Sequence, residues 1–297
     1  MNVALAIQTL AFLTLFGAIA EALFSTSSRW SRPLAGISLL AAFSTGTVNM
    51  VGLPLIGIAV LLLAGARTEE GPDWRRTACL WLLALWALAA GLHWLPGFAP
   101  LEWSREFGRD GDKLLRWHYD KGCAGLLLLW ALDLPRNLPQ MLQEWRARLN
   151  WLPAGVALVL TLGWLLGIAN PQPAWVAGTG AWLIGNLFLT VVAEEVFFRG
   201  LLQTRLSLAF GRILHPIPKG ASLHTPTTPA YWPGLVAAAL LFAIAHAGWG
   251  WQVASIAFVA GLFYGRMFGR QGLLLWAVLT HFLVNAATLL VMRSPLG

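Results

Sequence analysis

Apolar runs close to the thickness of a bilayer recur along this whole chain, and they leave it few ways to fold. They cover residues 3–24, 33–65, 77–96, 121–135, 151–169, 175–203, 232–249, 252–268 and 273–292. About 20 predominantly apolar residues suffice for a helix to cross the hydrocarbon core. The runs lack the polar faces that water requires of a soluble helix. Only 11% of the residues are charged, against about 25% in soluble domains. The sequence therefore predicts a polytopic membrane protein.

Run 33–65 is too long for one crossing. It contains Ser44-Thr45-Gly46-Thr47 and Gly52-Leu53-Pro54, so it is expected to split into two short spans or a re-entrant pair. Basic residues mark alternate loops: Arg29 and Arg32; Arg67, Arg75 and Arg76; Arg136, Arg146 and Arg148; Arg205, Arg212 and Lys219; Arg266 and Arg270. With those loops cytoplasmic, the N-terminus is outside, 33–65 crosses twice and loop 97–120 lies outside. This predicts ten crossings, or eight and a re-entrant hairpin. Arg293 runs against the resulting outside C-terminus. Loop 204–231 is rich in Pro, Thr and Gly, with a short surface helix expected around Leu206–Leu214. The first run lacks the positive leading segment of a signal peptide and is expected to be retained, with Glu21 interfacial. The chain divides near residue 150. Residues 1–150 form an N-terminal transmembrane region of unknown role, and residues 151–297 hold nearly all the candidate chemistry.

A net charge of +7 does not point to nucleic acid, because the basic residues fall in short loops between apolar runs. Orientation in the membrane explains that placement. Several of the 17 Trp residues, such as Trp94, Trp151, Trp175 and Trp232, lie near the ends of runs, where indole rings favour the interface. Cys79 and Cys123 are isolated and match no metal-ligand spacing or disulfide framework. Tyr119-Asp120-Lys121, ahead of a short apolar run, is expected to be an interfacial anchor.

Ionisable residues inside a bilayer are costly and by default suggest function. Glu194, Glu195 and Arg199 lie towards the end of run 175–203; His246, and His281 with Asn285, lie in two later runs. Helical residues four apart share a face and adjacent ones diverge by about 100°. Glu195 and Arg199 are thus expected to pair, leaving Glu194 to meet another helix. His281 and Asn285 share a face. A carboxylate in a low-dielectric cavity can act as general base on water, and a nearby imidazole can orient that water and relay the proton. His281 and Asn285 could donate to a developing oxyanion. Alternatively Glu194, His246 and His281 could hold a divalent metal such as zinc. The residue types allow both. His-Glu-x-x-His, Gly-x-Ser-x-Gly, Gly-x-Gly-Asp and Gly-x-Ser-Gly are all absent, which excludes the zincin arrangement and the nucleophile elbow.

In their order and spacing, Glu194-Glu195-Val-Phe-Phe-Arg199-Gly200, Phe242-Ala-Ile-Ala-His246 and His281-Phe-Leu-Val-Asn285 resemble the CPBP family. That family includes the type II CAAX prenyl endopeptidases and abortive-infection-type bacterial relatives. The resemblance covers roughly residues 174–292. It implies an all-α protein with a CAAX-endopeptidase-like helical core and intramembrane endopeptidase activity. By that resemblance Glu194 and His246 activate water, His281 and Asn285 stabilise the oxyanion, and Glu195 and Arg199 support the site. The family has been described both as metal-dependent and as glutamate-dependent, so the cofactor stays open. The implied partners are a membrane-associated protein or peptide substrate and the lipid bilayer, and the expected location is a bacterial inner (cell) membrane.

Two other function classes compete. Intramembrane Glu, His and Arg also mark proton- or ion-coupled transporters, although the chain shows no internal symmetry of broken helices. A non-catalytic membrane partner or immunity protein could use the same fold. Depth is a further constraint. On ideal spans Glu194 and His246 would miss each other by roughly 10 Å or more, unless helix 232–249 starts deep or 204–231 dips inward.

Overall fold

A computed structural model describes residues 3–25, 29–69, 72–108, 113–132, 134, 145, 148–214 and 230–293. The helices are α1 (Val3–Phe24), α2 (Ser31–Ser44), α3 (Gly52–Arg67), α4 (Asp73–Gly91), α5 (Tyr119–Ala131), α6 (Trp151–Leu165), α7 (Thr179–Gly185), α8 (Val192–Glu195), α9 (Thr204–Leu214), α10 (Tyr231–Ala245), α11 (Trp251–Gly272) and α12 (Leu274–Val291). Four short strands accompany them: β1 (Leu101–Phe107), β2 (Lys113–Trp117), β3 (Asn170–Pro171) and β4 (Met292–Arg293). The fold class is all-α, as expected. Among the described residues, Val3–Phe24, Thr179–Ile213 and Leu274–Val291 are long and apolar enough to cross a membrane, and Gly52–Arg67, Trp151–Leu165 and Tyr231–Ala245 are shorter apolar helices.

The chain divides into two compact units. One comprises Met1–Arg136 with Ala177–Glu194, the other Asn137–Val176 with Glu195–Gly297. In the first, α1 packs along α2 and α5, and α4 packs on α3 and α5. Ala11, Leu15, Ala18 and Ala22 of α1 are all buried, the single stripe expected of a helix with one packed face. Buried hydroxyls link these helices. Ser31 Oγ donates to the Ala18 carbonyl at 2.8 Å and Ser38 Oγ to the Ala11 carbonyl at 2.6 Å. Such bonds join helices where no water competes.

Run 33–65 does split, at residues 45–51. The break is tied down by 97–99: Asn49 N–H donates to the Gly97 carbonyl, and Ala99 N–H to the Thr47 carbonyl. Gly97 has φ +86°, and a Cβ there would lie 2.2 Å from Gly52 N, so only glycine fits this crossing. Loop 97–120 is not an irregular loop. It holds the antiparallel hairpin β1–β2, with Leu101 opposite Trp117 and shifts of register between Glu102 and Phe107. Those shifts interrupt the period-2 pattern that signals a strand.

In the second unit α10 packs on α9 and α11, and α12 packs on α6 and α11. Close approach depends on small residues. A Cβ on Gly155 would fall 1.9 Å from the Phe263 ring, and one on Gly261 would lie 3.2 Å from Ala239 Cα. The core gathers Val159, Phe198, Phe242, Tyr264 and Val284, with a second group of Leu152, Met267, Leu273 and Trp276.

Run 175–203 does not end where hydropathy suggests. Thr179–Ile213 is one helix of 35 residues, so the surface helix expected near Leu206–Leu214 is its continuation. Within it, wide π-type turns at Asn186–Val191 and Val196–Gln203 flank the single α turn Val192–Glu195. Such turns are frequent at functional sites. The Pro- and Thr-rich remainder of loop 204–231 (residues 215–229, with Lys219), together with Arg136 and Arg146, lies outside the described residues.

Candidate active site

The π stretch after α8, with α10, α11 and α12, builds a buried polar group in the second unit. Glu195 and Arg199 have no exposed surface. Arg199 Nε donates to Glu195 Oε2 at 3.0 Å, the i,i+4 pairing expected from the sequence. His281 Nδ1 donates to the other oxygen, Oε1, at 2.8 Å. One carboxylate thus joins motifs 86 residues apart. A guanidinium and a carboxylate cancel in charge, which makes their burial tolerable. Arg199 Nη1 and Nη2 meet no hydrogen-bond acceptor among the described residues. The guanidinium instead lies 5.2 Å over the Phe242 ring and 5.9 Å over Tyr264, where the ring faces attract it.

Phe242 is the hub of this unit. His281 meets it edge-on at 5.8 Å and stacks on Tyr264 at 4.5 Å. The His246 ring packs on Phe242 at 4.4 Å, with Trp249 at 5.5 Å. His246 caps the C-terminus of α10, which ends four residues before the expected 249 and begins at fully buried Tyr231. His246 Nδ1 lies 2.8 Å from the Phe242 carbonyl oxygen. A carbonyl only accepts, so Nδ1 carries the hydrogen and Nε2 presents the lone pair. Asn285 lies one turn after His281 on α12 and is half-buried.

Glu194 belongs to the first unit and meets a different partner. Its Oε1 accepts from Lys121 Nζ at 2.7 Å, with 18% and 17% of the two side chains exposed. Two glycines of α5 permit that contact. A Cβ on Gly122 would fall 2.7 Å from Leu15 and Leu189, and one on Gly125 would lie 3.1 Å from Ala193 Cα. Tyr119-Asp120-Lys121 is therefore not an interfacial anchor. Tyr119 is buried against the Ser38 hydroxyl at 2.8 Å, and Asp120 is buried beside His93 at 3.1 Å. Sequence reasoning missed Lys121, although an ammonium beside an intramembrane carboxylate is the ordinary way to bury both. It also missed His93 and His118. Next to Lys121 is a cavity of about 430 Å³ lined by His93, His118, Lys113, Arg116 and Lys121 among others. Burial, and then the charge of His93 beside it, pull the His118 imidazole down from its ordinary 6.5 to about 4.

The metal alternative requires Glu194 as a ligand. Its Oε1 already holds the Lys121 ammonium, and a dication at the same oxygen would meet that charge within a few ångströms. The fit is poor, and no step is derived through a metal on the motif residues.

Residues 174–287 match the family model described as Type II CAAX prenyl endopeptidase Rce1-like. The match contains Glu194, Glu195, Arg199, His246, His281 and Asn285. This segment, well under half of the chain, is what is similar to that family. No curated protein and no solved structure matches the chain. The matched segment resembles a CAAX-type intramembrane protease, and the chain is an integral membrane protein. Residues 1–173, with Asp120 and Lys121, lie outside the match.

Proposed function

We propose that the chain is a multi-pass endopeptidase of the bacterial cell membrane that hydrolyses a peptide bond in a membrane-associated protein. In this reading Glu194 takes a proton from the attacking water, and Nε2 of His246 orients that water and relays the proton to the leaving amine. Asn285 and the His281 edge face the developing oxyanion. Glu195 and Arg199 position His281. With Nδ1–H committed to Glu195, neutral His281 has only a lone pair at Nε2. Its donation to an oxyanion from Nε2 therefore needs a second ring hydrogen. Lys121 holds the Glu194 carboxylate in place by a charge-assisted bond. Residues 151–297 would carry the protease function.

The observation that supports this reading most is the convergence, inside the second unit, of Arg199, His246 and His281 on Phe242, from three separate helices. The test compares the proteomes of membranes carrying wild-type protein and Glu194→Gln. Cleaved C- or N-terminal fragments present only with the wild type are expected. Cleavage by purified protein that survives both Glu194→Gln and His246→Ala would overturn the proposal.

A further inference from the structure

The first unit contains a cluster that the protease reading does not use. His93, His118 and Asp120 each place one ligand atom within 4.8 Å of the other two, the one such His/Cys/Asp/Glu group among the described residues. They come from three places in the chain. His93 follows α4, His118 ends the hairpin, and Asp120 opens α5. His93 Nδ1 lies 3.1 Å and 3.3 Å from the two Asp120 oxygens. The His93 and His118 rings stack at 3.8 Å.

An ion pair between His93 and Asp120 does not account for this arrangement. It leaves unexplained why a second imidazole is pressed against the first beside the same buried carboxylate. His93 also has φ +58°, in the left-handed region. Its N–H bonds the Ala90 carbonyl and the Trp94 N–H bonds that of Ala89. This is the helix-ending turn that most often takes glycine at the His93 position. A side chain kept there against that preference points to a task for the side chain. Of the nearby cations, Lys121 is paired with Glu194 at 2.7 Å, while Arg116 shares Glu102 with Arg105 and Lys113 also lines the cavity, so the Asp120 carboxylate is the charge that would hold an ion.

We propose that His93, His118 and Asp120 bind a divalent transition metal of the zinc type, with its remaining coordination position open to the cavity. Tetrahedral bonds of about 2.0–2.1 Å place ligand atoms roughly 3.4 Å apart, so the cluster has to draw in from its present spread of up to 4.8 Å to hold an ion. Two nitrogens and one carboxylate oxygen suit zinc or its neighbours better than magnesium or calcium. Both imidazoles line the cavity, which gives the ion an entry path and leaves space for water or an anionic ligand. Asp120 adjoins Lys121, so occupancy of the site would bear directly on the partner of Glu194.

The test uses full-length protein in detergent, stripped by chelator and titrated with Zn(II) and with Co(II) as a spectroscopic probe. About one metal per chain is expected, with visible Co(II) absorption. Affinity should fall roughly tenfold or more in Asp120→Asn and His118→Gln. His93→Asn serves as the variant that keeps the fold, because Asn tolerates the left-handed conformation. It should elute as wild type and lose the metal. Absence of stoichiometric metal in the wild type, or unchanged binding in all three variants, overturns the proposal. So does loss of metal in Glu194→Gln or His246→Ala with retention in His118→Gln. None of these readouts depends on peptide cleavage, so the outcome is separate from the protease reading.

Discussion

Glu195, in the second unit, has no exposed surface and divides its two oxygens between Arg199 and His281. Glu194, in the first, keeps 18% of its side chain exposed and gives one oxygen to Lys121, near a cavity. The two acids are neighbours in sequence, yet one is enclosed and the other can be reached. An enclosed carboxylate with both oxygens bonded acts as a fixed counter-ion. A carboxylate that keeps exposed surface can be approached by water or substrate while its lysine partner holds it. The difference matches the proposed division of one motif between a positioning acid and a reacting one.

The strongest way to break this comparison is to remove the cation of the enclosed pair. Arg199→Met leaves Glu195 buried without its charge partner and is expected to destabilise the protein by about 3–5 kcal/mol. Thermal unfolding in detergent and the yield of monodisperse protein measure this. Lys121→Met makes the matching change at the reachable pair, where water can solvate the released carboxylate. An expected loss of about 1–3 kcal/mol keeps the order of the two effects. Equal losses would show the two sites to be alike. Glu194→Gln sharpens the contrast in function. It should lower cleavage by roughly 10²–10⁴-fold with little change in melting temperature, whereas Glu195→Gln should lower both.

The smallest effect is a pH dependence confined to the first unit. The folded value of His118, about 4, lies below its ordinary 6.5. Protonation therefore favours the unfolded chain, and the contribution is complete above pH 6.5 and is lost as the pH falls towards 4. Melting temperature against pH should drop less steeply over that window in His118→Gln than in wild type. Identical slopes would show that the His118 environment does not act on stability.

Much of this architecture could be read from residue order. Hydropathy located the helices, and Thr45–Thr47 with Gly52-Leu53-Pro54 marked the break in run 33–65. The i,i+4 spacing placed Arg199 against Glu195, and Glu194 does meet another helix. What could not be read depends on contacts between distant segments. The ion pair from Lys121 to Glu194 spans 73 positions and relies on Gly122 and Gly125, whose small size signals nothing by itself. His93 and His118 belong to no short motif because three separate elements bring them to Asp120. The hairpin at 101–117 was hidden by its shifts of register. The helix through Leu214 was hidden because its last turns carry Arg205 and Arg212, which read as a loop.

The two wide turns beside Val192–Glu195 bear on how this segment can vary over generations. Each accommodates residues at a pitch other than the ordinary 3.6 per turn. Deleting one residue between Val196 and Phe198 could restore regular winding, but it would swing the following side chains by about 100° relative to Glu195. Arg199, or whatever replaced it, would leave the face it shares with that acid. Side chains here can therefore be exchanged one at a time, whereas the number of residues between the acids and α9 cannot drift.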